Sequence, residues 1–324
     1  MKKQLALVAA AVLVFAACQK SVTGEENFAE EKTASRRHCA SYEVLEAQLA
    51  ADPGLRQRME EIEAFTKRIA ENPGAFRLLP DGTIEIPVVF NVLYRTAAQN
   101  VSQAQLQSQV DVLNEDFAAT NSDYNNTPSL FQGVRSGNIG VTFVLQTVNR
   151  KQTNKKSWTT NDAMKKASQG GINPTNPTTM LNIWVCNMGG GILGYAQFPG
   201  GNPATDGVVL DDNATGRTGT AAAPFNKGRT ATHEVGHWLN LRHIWGDANC
   251  GNDQVGDTPL HNTANYGCPA YPHLSTCSGT PVEMTMNYMD YTDDACMFMF
   301  TAGQKTRMLA TFQNGGPRNS FAQP

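Results

Sequence analysis

The residues from Arg229 to Gly246, reading RTATHEVGHWLNLRHIWG, constrain this chain more than any other stretch. His233 and His237 stand four apart in a segment of helical propensity, so one helical face presents both imidazoles. Zinc favours imidazole nitrogen in tetrahedral geometry, and a catalytic site keeps three protein ligands with the fourth position open. His243, six residues after His237, is the candidate third ligand. Glu234 directly follows His233, where it can take a proton from a metal-activated water without ligating, and it is the general-base candidate. A bare histidine pair at this spacing is more often surface or capping chemistry. The adjoining glutamate and the third histidine reverse that balance and point to metal-assisted hydrolysis.

The remainder of the sequence is compatible with an exported enzyme. Its 324 residues, 40% hydrophobic and 17% charged, suffice for one large domain with accessories. A net charge of -3 gives no basic footprint for nucleic acid, and no stretch beyond the N-terminus has the apolar length of a membrane span. Lys2 and Lys3 precede an apolar run from Leu5 to Ala17, the layout of a secretory signal peptide, assigned to 1–17. Phe15-Ala16-Ala17-Cys18 resembles a bacterial lipobox, in which the cysteine carries lipid. Ordinary signal-peptidase cleavage is the alternative, and both routes lead out of the cytoplasm. Lipidation would make the chain a bacterial outer-membrane or cell-surface lipoprotein.

An oxidising compartment makes the seven cysteines informative. Cys18 belongs to the signal junction, Cys39 to the segment after it, and Cys186 stands alone. Cys250, Cys268, Cys277 and Cys296 cluster near the C-terminus, and four cysteines allow three pairings. Without a short Cys-x-x-Cys pair they read as two disulfides stapling a loop-rich region rather than as a zinc knot.

Residues 18–75 are charged and helix-prone, from Tyr42 to Glu71 with a break at Asp52-Pro53-Gly54, and read as a propeptide. The catalytic domain is assigned to 76–324. Its first core strand is Thr83 to Tyr94, rich in β-branched and aromatic residues. Leu106, Val110, Leu113 and Phe117 then form a helical stripe within Val101 to Ala119. Further strands are expected at Val141 to Val148 and Leu181 to Val185, with Ile192 to Ala196 interrupting a Gly/Asn/Pro-rich stretch. The alternation predicts an α+β fold, a mixed sheet backed by helices.

The motif resembles that of the metzincin metallopeptidases, His-Glu-x-x-His-x-x-Gly-x-x-His with a methionine-containing turn downstream. Asn240 replaces the glycine that lets the backbone turn under the metal. Asparagine visits the left-handed conformation more readily than other residues bearing a side chain, at a cost of about 1 kcal/mol relative to glycine. Met286-Asn287-Tyr288-Met289-Asp290-Tyr291 resembles the methionine turn, with Met289 as the apolar floor and Tyr291 as an oxyanion-stabilising phenol. Both would be ordinary core residues without the histidines upstream. Asp294-Ala295-Cys296 and Phe300-Thr301-Ala302-Gly303-Gln304 extend the likeness to the pappalysins, peptidase family M43, over about residues 36–315. Thr301 and Gln304 also read as a capping box.

That resemblance implies a mostly parallel five-stranded sheet with backing and active-site helices, an upper subdomain to about residue 243, and a disulfide-stapled lower subdomain over 244–324. It implies the bridges Cys250–Cys277 and Cys268–Cys296, one catalytic Zn2+, and a Ca2+ loop at Asn252 to Pro259 with Asp253 and Thr258 as ligands, although such loops are commonly only turns. Arg37-His38-Cys39-Ala40-Ser41 is similar to the family's Arg-x-Cys-Gly-Thr, in which the thiol occupies the open zinc position of a zymogen. Inert Cys39, or Cys39 paired with Cys186, is the alternative. The implied activity is endopeptidase cleavage of proteins or peptides by a monomer, with substrate extended along a sheet edge near Gly191 to Phe198. Basic residues beside the cut would be matched by Asp293 or Asp294, and Arg or Lys sites from Arg56 to Arg77 are candidate maturation cuts. An inactive zinc-binding surface protein and a zinc exopeptidase or amidase are the rivals. Intact Glu234 speaks against the first, and an accessible groove against the second.

Overall fold

A computed structural model of the chain describes residues 36–71 and 83–322, all within the compact unit Thr33–Pro324. The expected signal peptide, Cys18, Arg77 and the boundary at 75/76 lie outside the described residues. The sheet is organised by β1 (Ile84–Tyr94), which is buried except at the exposed Glu85 and the half-buried Pro87 and Tyr94. Parallel neighbours flank it, β2 (Val141–Gln152) on one side and β3 (Leu181–Cys186) on the other. Next to β3 runs β5 (Val208–Asp211), also parallel, and the edge strand β4 (Gly194–Ala196) closes the order antiparallel to β5. Pro87 sits inside this central strand, next to a register shift between Val88 and Val89, where a missing amide hydrogen is tolerated.

Two helices of the N-terminal segment, α1 (Ser41–Ala51) and α2 (Leu55–Glu71), are separated at the expected Asp52-Pro53-Gly54 break, where Asp52 Oδ1 accepts from the Gly54 amide. The Ser102 hydroxyl caps α3 (Gln103–Phe117), accepting from Gln105 N at 3.1 Å. Its stripe of Leu106, Val110, Leu113 and Phe117 is buried against the sheet, with Phe117 edge-on to Phe143 and Phe300. A short α4 (Ser129–Gln132) follows, and α5 (Arg229–Trp238) lies beside α3 beneath the β4 edge. Thr232 and Tyr288 both donate to Asp116 of α3 at 2.7 Å, tying α5 and the lower chain to one buried carboxylate.

Below α5 the chain is mostly loop until α6 (Ala302–Ala310). Cys250–Cys277 and Cys268–Cys296 are bonded, and Cys39 and Cys186 are not joined to each other; Cys186 lies against Met188. Two devices start α6. Thr301 and Gln304 form a reciprocal capping box, and Asp257 accepts from Thr301 Oγ1 at 2.6 Å and from Gly303 N at 2.8 Å. A Cβ on Gly303 would come within 2.5 Å of that carboxylate, so glycine is what lets the loop reach the helix end. Thr301→Ala should lower stability by about 1–2 kcal/mol in urea unfolding, and a loss of a few tenths would mean that Asp257 alone holds the helix start.

Candidate metal centre

Every residue of α5 is buried, and its C-terminal turn decides the site. Asn240 stands at φ 72°, the left-handed conformation the missing glycine would have taken. The reversal lets Leu241 N donate to Gly236 O at 2.9 Å and sends the chain back beneath the helix towards His243. Arg307 of α6 donates to the Asn240 carbonyl at 2.6 Å, while the Asn240 Nδ2 is buried without a hydrogen-bond partner. Met289 lies under the helix at Gly236, where an added Cβ would fall 2.5 Å from its sulfur. The glycine inside the histidine motif is thus space for the methionine floor.

The orientation of the rings follows from their outer nitrogens. Nδ1 of His233 meets the Tyr288 carbonyl at 2.6 Å, Nδ1 of His237 meets the Leu241 carbonyl at 2.8 Å, and Nδ1 of His243 meets the Asp247 carboxylate. All three partners are acceptors, so each Nδ1 carries the proton and each Nε2 presents a lone pair. The Nε2 of His237 lies 3.1 Å from those of both His233 and His243. Three lone pairs facing one point cannot hydrogen-bond to one another. About 3.3 Å is the separation expected for nitrogens about 2.05 Å from one tetrahedral zinc. Burial, with the neighbouring imidazoles, pushes His233 well below its ordinary pKa and His237 to about 3, which keeps both neutral and able to ligate. Cys39 is the fourth member of the cluster, all four ligand atoms lying within 4.8 Å of one another. Three imidazole nitrogens and a sulfur are donors that suit zinc.

Sequence reasoning did not identify Asp247 or Trp245, which stacks on His243 with 4.4 Å between ring centroids. An acidic residue one helical turn after a ligating histidine was the available signal for Asp247. Nor did it identify Ser41. The Ser41 hydroxyl donates to Glu234 Oε2 at 2.8 Å and accepts from Ala196 N at 2.8 Å, and the Cys39 thiol donates to the same carboxylate oxygen at 3.3 Å. Oε1 of Glu234 is buried and unpartnered. Burial raises Glu234 to about 7 despite the donors Cys39 and Ser41, and burial followed by the Glu234 charge drives the Cys39 thiol well up. A Cβ at Gly194 on β4 would stand 2.8 Å from the Val209 carbonyl oxygen and 3.1 Å from Glu234 Cγ, so glycine leaves room for both the strand pairing and this carboxylate.

Residues 37–41 lie along β4 in the parallel sense, with Leu193 N donating to His38 O at 2.9 Å and Ala40 N to Gly194 O at 3.0 Å. Ala40, standing where the family pattern has glycine, is accommodated in this buried ladder. Tyr291 donates its phenol to the Cys39 carbonyl at 2.9 Å. Arg37 enters a buried recess, donating to Asp294 Oδ1 at 2.6 Å, Thr230 Oγ1 at 3.1 Å and Thr292 O at 3.1 Å, with Phe225 against its guanidinium. Of Asp293 and Asp294, it is Asp294 that accepts the hydrogen bond from Arg37. Remote from this cleft, Thr258 Oγ1 lies 2.9 and 3.0 Å from the Asp253 carboxylate oxygens and 2.9 Å from the Val255 carbonyl.

A five-stranded mixed sheet, a histidine helix beneath its antiparallel edge and a methionine floor define a zinc metalloendopeptidase of the metzincin class. The family model of peptidase M43, described as pregnancy-associated plasma protein-A, matches residues 176–313. An extracellular metalloprotease of Verticillium alfalfae is 34% identical over 246 residues, covering 73% of this chain and 80% of that protein. The chain belongs to peptidase family M43. Among solved structures, mature mirolysin of Tannerella forsythia in complex with a cleaved peptide is 47% identical at a TM-score of 0.72, covering 75% of this chain and 97% of that one. A Tannerella forsythia promirolysin mutant is 43% identical at a TM-score of 0.79, covering 88% of this chain and 97% of that one.

Asn240→Gly removes both the side-chain strain and the unpartnered amide, and should raise stability by up to about 1 kcal/mol with full zinc content. Asn240→Val should lose bound zinc by atomic absorption, because a β-branched residue resists this φ. Full zinc content in the valine variant would show that the turn does not depend on residue 240.

Proposed function

We propose that the chain is an exported zymogen in which Cys39 completes the zinc site until the N-terminal segment is removed, after which it cleaves proteins beside basic residues. The seating of residues 37–41 carries this reading, with the Cys39 sulfur within 4.8 Å of the three ligating imidazole nitrogens and an arginine on Asp294. The share of this chain covered rises from 75% for mature mirolysin to 88% for the promirolysin mutant, which favours a precursor. Export rests on the Lys2-to-Ala17 leader, with lipid at Cys18 as the anchoring route, and on relatives named extracellular. The domain division at 75/76, the subdomain division near 243 and the monomeric state belong to the same reading.

His233, His237 and His243 would hold zinc, which when bound supplies Lewis acidity towards the scissile carbonyl and a nucleophilic water. Glu234 takes the water's proton through the oxygen freed from Ser41 and Cys39 and later delivers it to the leaving amine. Tyr291, released from the Cys39 carbonyl, donates its phenol to the negative charge that develops on the substrate oxygen. Substrate takes over the β4 edge, with backbone hydrogen bonds to Leu193 and Gly194 fixing it and Asp294 receiving a basic side chain. Met289 keeps the floor dry, and Asn240 holds the turn. A structural Ca2+ at Asp253 and Thr258 is supported by the oxygens converging there, and metal analysis of zinc-loaded protein after selective calcium chelation tests it.

In activated protein, Glu234→Ala should retain zinc and lose about a hundred- to ten-thousand-fold in peptide cleavage. Asp294→Asn should remove most of the advantage of arginine-containing over alanine-containing peptides. Cys39→Ala should yield a precursor that matures faster. If that precursor is just as inactive and as slowly processed, the thiol is not the switch. Cleavage that survives a zinc chelator in fully processed protein would sink the peptidase mechanism.

A further inference from the structure

A second arginine of the N-terminal segment is seated beside the first. The Arg36 guanidinium lies 5.2 Å from the centroid of the Tyr266 ring, within the range at which a cation is attracted to an aromatic face. Successive residues of an extended chain point to opposite sides, so Arg37 goes down to Asp294 while Arg36 goes across to Tyr266. Tyr266 is 42% exposed, which leaves a face for a ligand, and its ring lies 5.9 Å from that of Tyr291 at the metal centre.

The loop carrying Tyr266 is anchored on both sides. Before it, Asn265 donates its amide to Asp290 Oδ1 and its side chain to Asp290 Oδ2 and Glu283 Oε2, at 2.8 to 2.9 Å. After it, the Gly267 carbonyl accepts from Asp293 N at 2.9 Å, and Cys268 is bonded to Cys296. These ties fix the ring relative to Asp294, the neighbour of Asp293. An aromatic face held this way loses little freedom on binding.

We infer that Tyr266 forms a second cation-accepting subsite of the mature cleft, so that substrates with two adjacent basic residues are preferred over those with one. The inference rests on the reading of Asp294 as the seat of the first basic side chain. In the seated segment the residue on one side of Arg37, Arg36, is the one that reaches Tyr266, so one of the two substrate positions flanking the first basic residue is expected to reach it.

The test compares kcat/KM for three peptides identical except around one arginine: flanked by alanines, with a second arginine before it, and with a second arginine after it. One of the double-arginine peptides should be cut roughly two- to five-fold better than the single-arginine peptide. Tyr266→Ala should bring that ratio to about one, and Tyr266→Phe should keep it. Equal cleavage of all three peptides, or a preference that survives Tyr266→Ala, overturns the subsite. Failure of the basic-seat reading shows separately, as no advantage of the single-arginine peptide over a fourth peptide in which alanine replaces that arginine. Affinities of the same peptides for processed Glu234→Ala protein give the ratio without turnover.

Discussion

Three imidazole lone pairs pointed at one place are what the rest of the molecule is arranged to maintain. Neutral rings 3.1 Å apart at their Nε2 atoms repel unless a cation sits between them, and each ring is held in this pose from behind. The three restraints come from different parts of the chain: the Tyr288 carbonyl in the methionine turn, the Leu241 carbonyl just past the left-handed Asn240, and the Asp247 carboxylate. The lower subdomain supplies most of these, which gives a purpose to a region with little regular structure and two disulfides. Rigidity there substitutes for secondary structure. The upper sheet has a separate task, offering the β4 edge on the opposite side of the metal centre.

Legibility in the sequence followed the range of the interaction. His233, Glu234 and His237 are readable because one helical turn brings them together, and Asn240 because its conformational tolerance is a local property. β1 and α3 have continuous apolar patterns, which gave their positions to within two residues. β2 was expected to stop at Val148, yet it continues to Gln152, because its second half pairs with β1 through the backbone while leaving Asn149 and Lys151 half-buried and Arg150 exposed. Hydropathy does not register a half-wet strand. The contacts of Arg37 with Asp294 and of Ser41 with Glu234 join residues far apart in the chain, and no spacing rule could have paired them. Only the family likeness directed attention to Cys39, and neither composition nor periodicity gives the direction in which its segment crosses the cleft.

The glycines of the site carry information that side-chain chemistry omits. Gly236 of α5 lies against the Met289 sulfur, and Gly194 of β4 lies against the Glu234 carboxylate that α5 presents. Each is an absence of volume where a methyl group would displace the apparatus. A scan for titratable residues passes over both.

If residues 37–41 act as the inhibitor proposed above, their parallel run along β4 also bears on how strongly such a segment has to bind. A segment joined to its own target is present at an effective concentration on the order of millimolar, so even a weak mimic keeps the cleft filled. Cutting the connection to β1 changes that arithmetic without altering a single contact. The same residues then compete at the concentration of the protein itself, and dilution into the surroundings makes their departure one-way. On the zymogen reading proposed above, covalent connection would set the latency more than the strength of the thiol or the arginine.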